Sequence, residues 1–144
     1  MYMQIHDYRI PDHLHYDHKN YWVDIHKDKV VVGMSDYGQS TIGDILYLDL
    51  GKPGTALTKG QELGSIEAGK WVGLLTAPVS GTIKKINEEI EKTPASVNND
   101  PYGKGWMYEI TSSKPAELQE LMPASEYAKW VDAQVKMEDE EGLR

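Results

Sequence analysis

At 144 residues the chain has the size of one domain and enough length to bury a sizeable core. Its 15 basic and 23 acidic residues give a net charge of −8, which argues against nucleic acid and anionic membrane surfaces as partners. Cysteine is absent, so disulfides, thiolate zinc sites and a cysteine nucleophile are excluded.

The opening stretch, MYMQIHDYRI, lacks a basic segment followed by an apolar one, and no apolar run approaches a membrane span; a soluble cytoplasmic protein is expected. Residues 1–20 hold His6, His13, His15 and His18. His13 and His15 would share one face of an extended segment with Asp12 and Asp17 nearby, but nothing in the spacing fixes a metal geometry. The segment reads as a solvated lead-in, and no metal is expected. Tyr21–Ile25 and Lys29–Gly33 read as strands around the polar turn His26–Lys27–Asp28, with Val30, Val31 and Val32 favouring a pleated surface. Ser35 is a possible N-cap for a short helical turn over Asp36–Gln39 that Gly43 and Asp44 end. Ile45–Leu50 follows as a strand, expected to place Leu46, Leu48 and Leu50 on one face and Ile45, Tyr47 and Asp49 on the other.

The stretch Gly60–Gly81, GQELGSIEAGKWVGLLTAPVSG, organises the chain. It reads as a hairpin: Gln61–Ile66 leads in, Ala68–Gly69–Lys70 turns and Trp71–Thr76 leads out. Glycine supplies freedom for a tight turn, and Lys70 is pushed toward solvent. Thr82–Ile86 is a further strand in which Ile86 falls out of phase, so a bulge or strand end is expected. Asn87–Glu91 reads as a helical turn and Asn98–Gly103 as loop. Trp106–Ile110 reads as a last strand with Trp106, Tyr108 and Ile110 on one face. Pro115 suits the first residue of a helix over Ala116–Leu121. A second helix from about Ser125 carries Tyr127, Trp130, Val131 and Val135 at helical spacing, and Glu138–Glu141 reads as a solvated acidic tail. Short strands between glycine and proline turns, with helix at the end, indicate a mainly β domain. Gly54–Leu57 and Gly81–Lys84 echo one another faintly on either side of the hairpin.

Several stretches together resemble the H protein of the glycine cleavage system, a lipoyl carrier. Pro11-x-x-Leu14-x-Tyr16 with Trp22 is similar to its opening, and Val32–Gln39 followed by Ile42–Ile45 to its "VGITDYAQ…LGDI" segment. Gly64-x-Ile66-Glu67-x-x-Lys70 resembles the lipoylation hairpin, Ala77–Gly81 the "SPVSG" after it, and Val97–Trp106 the "LVNxDPYGxGW" segment. The resemblance spans Pro11–Tyr127. It implies a β-barrel–sandwich hybrid of two dyad-related sheets with a C-terminal helix. It divides the chain into a lead-in (1–20), a carrier domain (21–112) and a C-terminal helical segment with an acidic tail (113–144). It also implies a non-catalytic carrier with lipoate in amide linkage to Lys70, and Glu67 recognised by the attaching lipoate ligase or lipoyl/octanoyl transferase.

The implied partners are the enzymes of glycine cleavage, with dihydrolipoamide dehydrogenase to reoxidise the arm. Departures cluster at the carrier tip: the usual "ESVKA" is Glu67-Ala68-Gly69-Lys70-Trp71. Gly69 would loosen the turn. Trp71 would pack on the hairpin or meet the arm or a partner. Such departures suit H-protein-like lipoate-binding proteins of bacterial sulfur oxidation, whose arm serves a heterodisulfide-reductase-like complex and carries sulfur species. A biotinyl carrier would flank its lysine with methionines, where Gly69 and Trp71 stand here. Two further readings compete with a lipoyl carrier: an unlipoylated scaffold of the same ancestry, and a hydrolase using His13, His15 and His18 on a metal.

Overall fold

The computed structural model describes residues Met1–Gly142. Leu143 and Arg144, the last two residues of the expected 113–144 segment, lie outside the described residues. Two sheets and a terminal hairpin make up the β structure. The larger sheet has seven strands in the order β12-β3-β4-β5-β11-β10-β7: Met122–Pro123, His15–Tyr16, Tyr21–His26, Lys29–Met34, Tyr108–Ser112, Gly81–Ile86 and Ala56–Leu57. The smaller has three, β6 (Ile45–Asp49), β8 (Glu62–Ala68) and β9 (Val72–Thr76), in the order β6-β8-β9. Between them lies a core of Val23, Val30, Val32, Leu48, Ile66, Leu75, Ile83 and Ile110, each of which alternates inward from its strand. This is the expected mainly β sandwich, closed by the C-terminal helix α4 (Ala124–Glu140). Among the described residues no helix is long and apolar enough to cross a membrane.

The first twenty residues are not a solvated lead-in. Strands β1 (Tyr2–Ile5) and β2 (Tyr8–Pro11) form a hairpin, and Tyr8, Ile10, Leu14 and Tyr16 are buried. Together with Trp22, Tyr37 and the inner face of α4 (Tyr127, Ala128, Val131, Val135) they build a second core. Tyr16 stacks on Tyr127 with ring centroids 4.3 Å apart. The alternation in Tyr8–Pro11 is too short to announce a strand against so polar a background.

Other elements shift for local reasons. Helix α1 spans Asp36–Ile42 and, as expected, Ser35 caps it, its Oγ accepting from the Gly38 N–H at 3.0 Å. The expected irregularity in Thr82–Ile86 is a bulge between Ile83 and Lys85. Asn98 and Asn99 are helical, closing the short helix α3 (Ala95–Asn99), which follows α2 (Glu88–Lys92). Trp106 precedes the last long strand, which begins at Tyr108. Pro115 opens a 3-10 turn over Pro115–Glu120. Glu138 belongs to α4 and accepts from Tyr37 Oη, so the expected solvated tail is helical from Glu138 to Glu140 and engaged at Glu138. The two echoing segments pair with each other, Leu57 opposite Gly81 and Ala56 opposite Thr82.

One buried hydrogen-bond chain ties the sheet, α1 and α4 together. The Gly38 N–H donates to Ser35 Oγ, which shares a 2.6 Å bond with Tyr127 Oη, and Tyr127 Oη donates to Asn20 Oδ1 at 2.8 Å. Burial holds the Tyr127 phenol well above its ordinary pKa, so it stays a donor. Tyr127→Phe leaves both partners short of a bond in a dry site and should destabilise the protein by about 1–3 kcal/mol. A lower urea midpoint with an unchanged slope is the expected reading.

Candidate functional site

The hairpin is tight. Glu67 pairs with Val72, the Ala68 N–H donates to Trp71 O at 2.8 Å, and Gly69–Lys70 form the two-residue tip. The tip is pinned, not loose. The Gly69 N–H donates to Asp44 O at 2.9 Å, and the Lys70 N–H to Ile42 O at 2.8 Å. Ile42 closes α1 and Asp44 lies in the turn that leads to β6, so the capped helix anchors the lysine's backbone. That turn requires Gly43, whose φ of 81° and ψ of −164° are open essentially to glycine alone. A Cβ there would stand 3.4 Å from Lys70 Cγ, which shows the stem of Lys70 lying along the turn.

Gly69 itself has no positive φ, and a Cβ on it would meet nothing closer than the Asp44 N at 3.8 Å. The expected role for its conformational freedom is therefore corrected: the tip's backbone accommodates a Cβ at this position.

Lys70 is exposed, and among the described residues no carboxylate pairs with it. Glu67 is also exposed, and it pairs with neither Lys59 nor Lys70; Lys59 pairs with Glu120 at 2.6 Å. Trp71 folds back over Gly73, where a Cβ would come within 2.2 Å of its Cζ2. The indole is thus packed on the hairpin and still 43% exposed.

A cleft of about 460 Å³ opens beside the tip. Met34, Ile42, Leu74 and Trp71 give it apolar walls, with Lys19, Asn20, Tyr21, Thr41, Lys70 and Thr76 as its polar lining. Tyr21 Oη accepts from the Thr76 N–H at 3.0 Å, and burial raises the phenol's pKa, so it is neutral. Lys19 Nζ reaches Thr76 Oγ1 at 3.4 Å. Behind it Asp17 Oδ1 accepts the Lys19 and Tyr21 N–H groups at 3.0 Å each; burial raises this carboxyl's pKa, opposed by those two bonds. Nothing in the sequence marks the lining residues from Lys19 to Ile42 as site residues. Their only signal is Asn20, a residue tolerant of the left-handed φ of 71° it adopts before β4.

The histidines do not assemble. His13 lies exposed in a turn, His15 lies in β3 and His18 sits edge-on to Trp130. Among the described residues no group of three His, Asp or Glu side chains could hold a metal ion.

The β sandwich thus presents an exposed lysine without an acidic partner among the described residues, on a backbone-pinned hairpin tip beside an apolar cleft. The family model for the glycine cleavage H-protein matches residues 14–134. Glycine cleavage system H proteins from Salinibacter ruber and Bifidobacterium longum are 44% and 39% identical over 82% and 85% of this chain, covering 95% and 88% of those proteins. Glycine cleavage system H protein 4 from Aquifex aeolicus is 36% identical over 95% of this chain and 80% of that protein. The crystal structure of an H protein from Mycobacterium marinum superposes with a TM-score of 0.75 at 31% identity, over 84% of this chain and 98% of that one. The chain belongs to the glycine cleavage H-protein family. Members of this family are the carrier component of the glycine cleavage system and bear lipoate covalently attached to a lysine.

Gly69→Ala should leave stability within about 1 kcal/mol of the parent, because the Cβ meets only ordinary contacts. Gly43→Ala should cost about 1–3 kcal/mol, since it strains the turn that holds Lys70. Thermal unfolding of the two variants checks the contrast.

Proposed function

We propose that this protein is a cytoplasmic lipoyl carrier of glycine cleavage, with Lys70 as the attachment residue and Glu67, Gly69 and Trp71 as the surface that attachment and partner enzymes meet. One observation carries the reading: Lys70 has an exposed amine without an acidic partner, on a tip whose backbone is held by two hydrogen bonds. An unpaired amine can be acylated without first breaking an ion pair. A fixed backbone makes the side chain the moving part, so an arm attached there sweeps from a constant origin.

The residues present fit the group. The apolar walls formed by Met34, Ile42, Leu74 and Trp71 suit an alkyl chain ending in sulfur, and Lys70 itself lines the cleft. When bound, the dithiolane supplies the redox and group-carrying chemistry. The protein's own work is to hold Lys70 in place, to offer the arm a partly dry resting site and to keep that site free of competing thiols. Acylation converts the Lys70 ammonium to a neutral amide. The natural partners are a lipoate ligase or lipoyl/octanoyl transferase, the glycine cleavage enzymes and dihydrolipoamide dehydrogenase.

Intact-mass measurement on protein from its own host, with peptide mapping over Leu63–Thr76, should show a lipoyl adduct on Lys70 that is absent from Lys70→Arg. An unmodified Lys70 in a host that makes other lipoylated proteins would overturn the assignment in favour of an unlipoylated scaffold.

A second reading, carriage of sulfur species to a heterodisulfide-reductase-like complex, is favoured by Lys19. Among the described residues lining the cleft only Lys19 and Lys70 are charged, and acylation removes the charge of Lys70. A remaining cation favours an anionic cargo over a protonated amine. Lys19→Glu separates the readings. Glycine-dependent turnover with the glycine cleavage enzymes should be kept or raised on the first reading, whereas sulfur-substrate turnover should fall on the second.

A further inference from the structure

Strand β6 lies at an edge of the small sheet: it pairs with β8 alone, and the short helices α2 and α3 pack against it. Side chains from those helices take N–H groups that such an edge would leave open. Glu91 Oε2 of α2 accepts the Leu50 N–H at 2.9 Å just past the end of the strand. At its start, Asn98 Oδ1 of α3 accepts the Ile45 N–H, also at 2.9 Å. The Ile45 end is where the strand breaks step. The register shift between Ile45 and Tyr47 turns Leu46 out beside Tyr47, 68% exposed, which corrects the expectation that Leu46 would share a face with Leu48 and Leu50. The outer face of the small sheet thus carries Leu46, Tyr47, Val72 and Leu74 with the acids Asp49 and Glu67, all exposed.

Asn98 reaches further than the edge of β6. Its Nδ2 also donates to Gly43 O at 3.0 Å and to Gln39 Oε1 at 2.9 Å, so the side chain makes three of the four hydrogen bonds an amide can make, all to α1 and the residues that follow it. These partners fix which way the amide points, because the Ile45 N–H can only donate and Gly43 O can only accept. The same stretch holds the hairpin tip: Ile42 O accepts the Lys70 N–H and Asp44 O the Gly69 N–H. Along residues 42–45, then, bonds alternate between the tip and Asn98, and the turn is clamped from two sides. Without the clamp this turn would have the freedom of the glycine at its centre. Helix α3 is itself firmly seated. Val97 is buried in the core between the sheets, and a Cβ on Gly105 would stand 2.9 Å from Val97 Cα, so the following loop closes directly on the helix.

We propose that Asn98 is a positioning residue for the acylation of Lys70: it holds the 42–45 turn in the arrangement that presents both acceptors to the tip, and so fixes the origin from which the Lys70 side chain extends. The inference rests on Lys70 being the attachment residue. In the step it serves, Lys70 Nζ takes the lipoyl carbonyl from lipoyl-adenylate, made from lipoate and ATP. The amide C–N bond forms, AMP leaves with the electron pair of the broken C–O bond, and Nζ gives up a proton. Asn98 touches none of these atoms. It acts through the turn, by keeping Nζ within reach of the carbonyl for more of the time. A role confined to closing the edge of β6 would show in stability alone.

The test sets Asn98→Ala against Glu91→Ala, which opens the other end of the same edge. Both should lower the thermal midpoint. By native-state hydrogen exchange on the full unmodified chain, the Gly69 and Lys70 amides of Asn98→Ala should exchange about tenfold faster than in the parent, whereas Glu91→Ala should leave them unchanged. In lipoylation by purified lipoate ligase with lipoate and ATP, followed by intact mass, Asn98→Ala should lower kcat about tenfold with KM little changed. Glu91→Ala and Asn99→Ala, the latter exposed on the same helix, should match the parent. Asn98→Asp keeps an acceptor for the Ile45 N–H and loses the donors, so its kcat should fall between those of the parent and Asn98→Ala; it carries the test if the alanine variant does not fold. Circular dichroism at the assay temperature establishes that each variant is folded. A parent chain that takes no lipoate at Lys70 would refute the attachment reading itself. A lipoylated parent whose folded Asn98 variants keep its kcat would overturn the positioning role alone, whatever their loss of stability. So would a Glu91→Ala chain with the same loss of kcat, since general loosening of β6 would then be the cause.

Discussion

Two backbone hydrogen bonds govern the carrier end of this molecule: Gly69 N–H to Asp44 O and Lys70 N–H to Ile42 O. A two-stranded hairpin that projects from a sheet is only marginally stable in water, and its tip would ordinarily fray. Here the tip is closed onto the turn that follows α1, so the lysine inherits the rigidity of a capped helix. The bonds use the tip's donors on the protein itself, which leaves side chains as the means by which other proteins can recognise it.

That anchoring reaches back into both cores. Helix α1 starts at Ser35, whose hydroxyl caps the helix and meets Tyr127 of α4, which in turn holds Asn20. Asn20 lines the cleft, and its carbonyl accepts the Ser35 N–H at 2.8 Å. The N-terminal hairpin adds further ties. Tyr102 Oη donates to Arg9 O and accepts the Asp36 N–H, so the first strands, the Pro101–Tyr102 loop and the start of α1 are fixed together. The second core, distant from Lys70, thereby holds the helix that positions it. Segments far apart in sequence meet at one polar hub because each would otherwise leave a buried group unpaired.

Much of the chain's organisation is legible in its residues alone. The hairpin over Gln61–Thr76, the Ser35 cap, the Thr82–Ile86 bulge and the α4 stripe all rest on local rules of turn chemistry, capping and periodicity. Those rules fail where tertiary partners override local pattern. The N-terminal residues look solvated because their apolar positions are few, yet α4 and Trp22 cover them. Leu46 reads as sharing a face with Leu48 and Leu50 until a bulge, set by pairing with β8, turns it out. Gly69 reads as a source of freedom in the turn, but backbone bonds to a distant loop shape this tip instead.

By itself, then, the sequence determined that this is a mainly β protein organised around a hairpin lysine, and its motifs placed it in the right family. Those are properties of short stretches and their order. Only the tertiary structure decided that the tip is pinned, that a cleft lined by Lys19, Tyr21, Met34, Ile42 and Thr76 opens beside Lys70, and that the outer face of the small sheet is apolar and acidic. The cleft gathers residues from Lys19 to Thr76, and the outer face depends on register and a bulge. Both are set by which strands pair and how the sheets pack, and no local window of the chain contains that information.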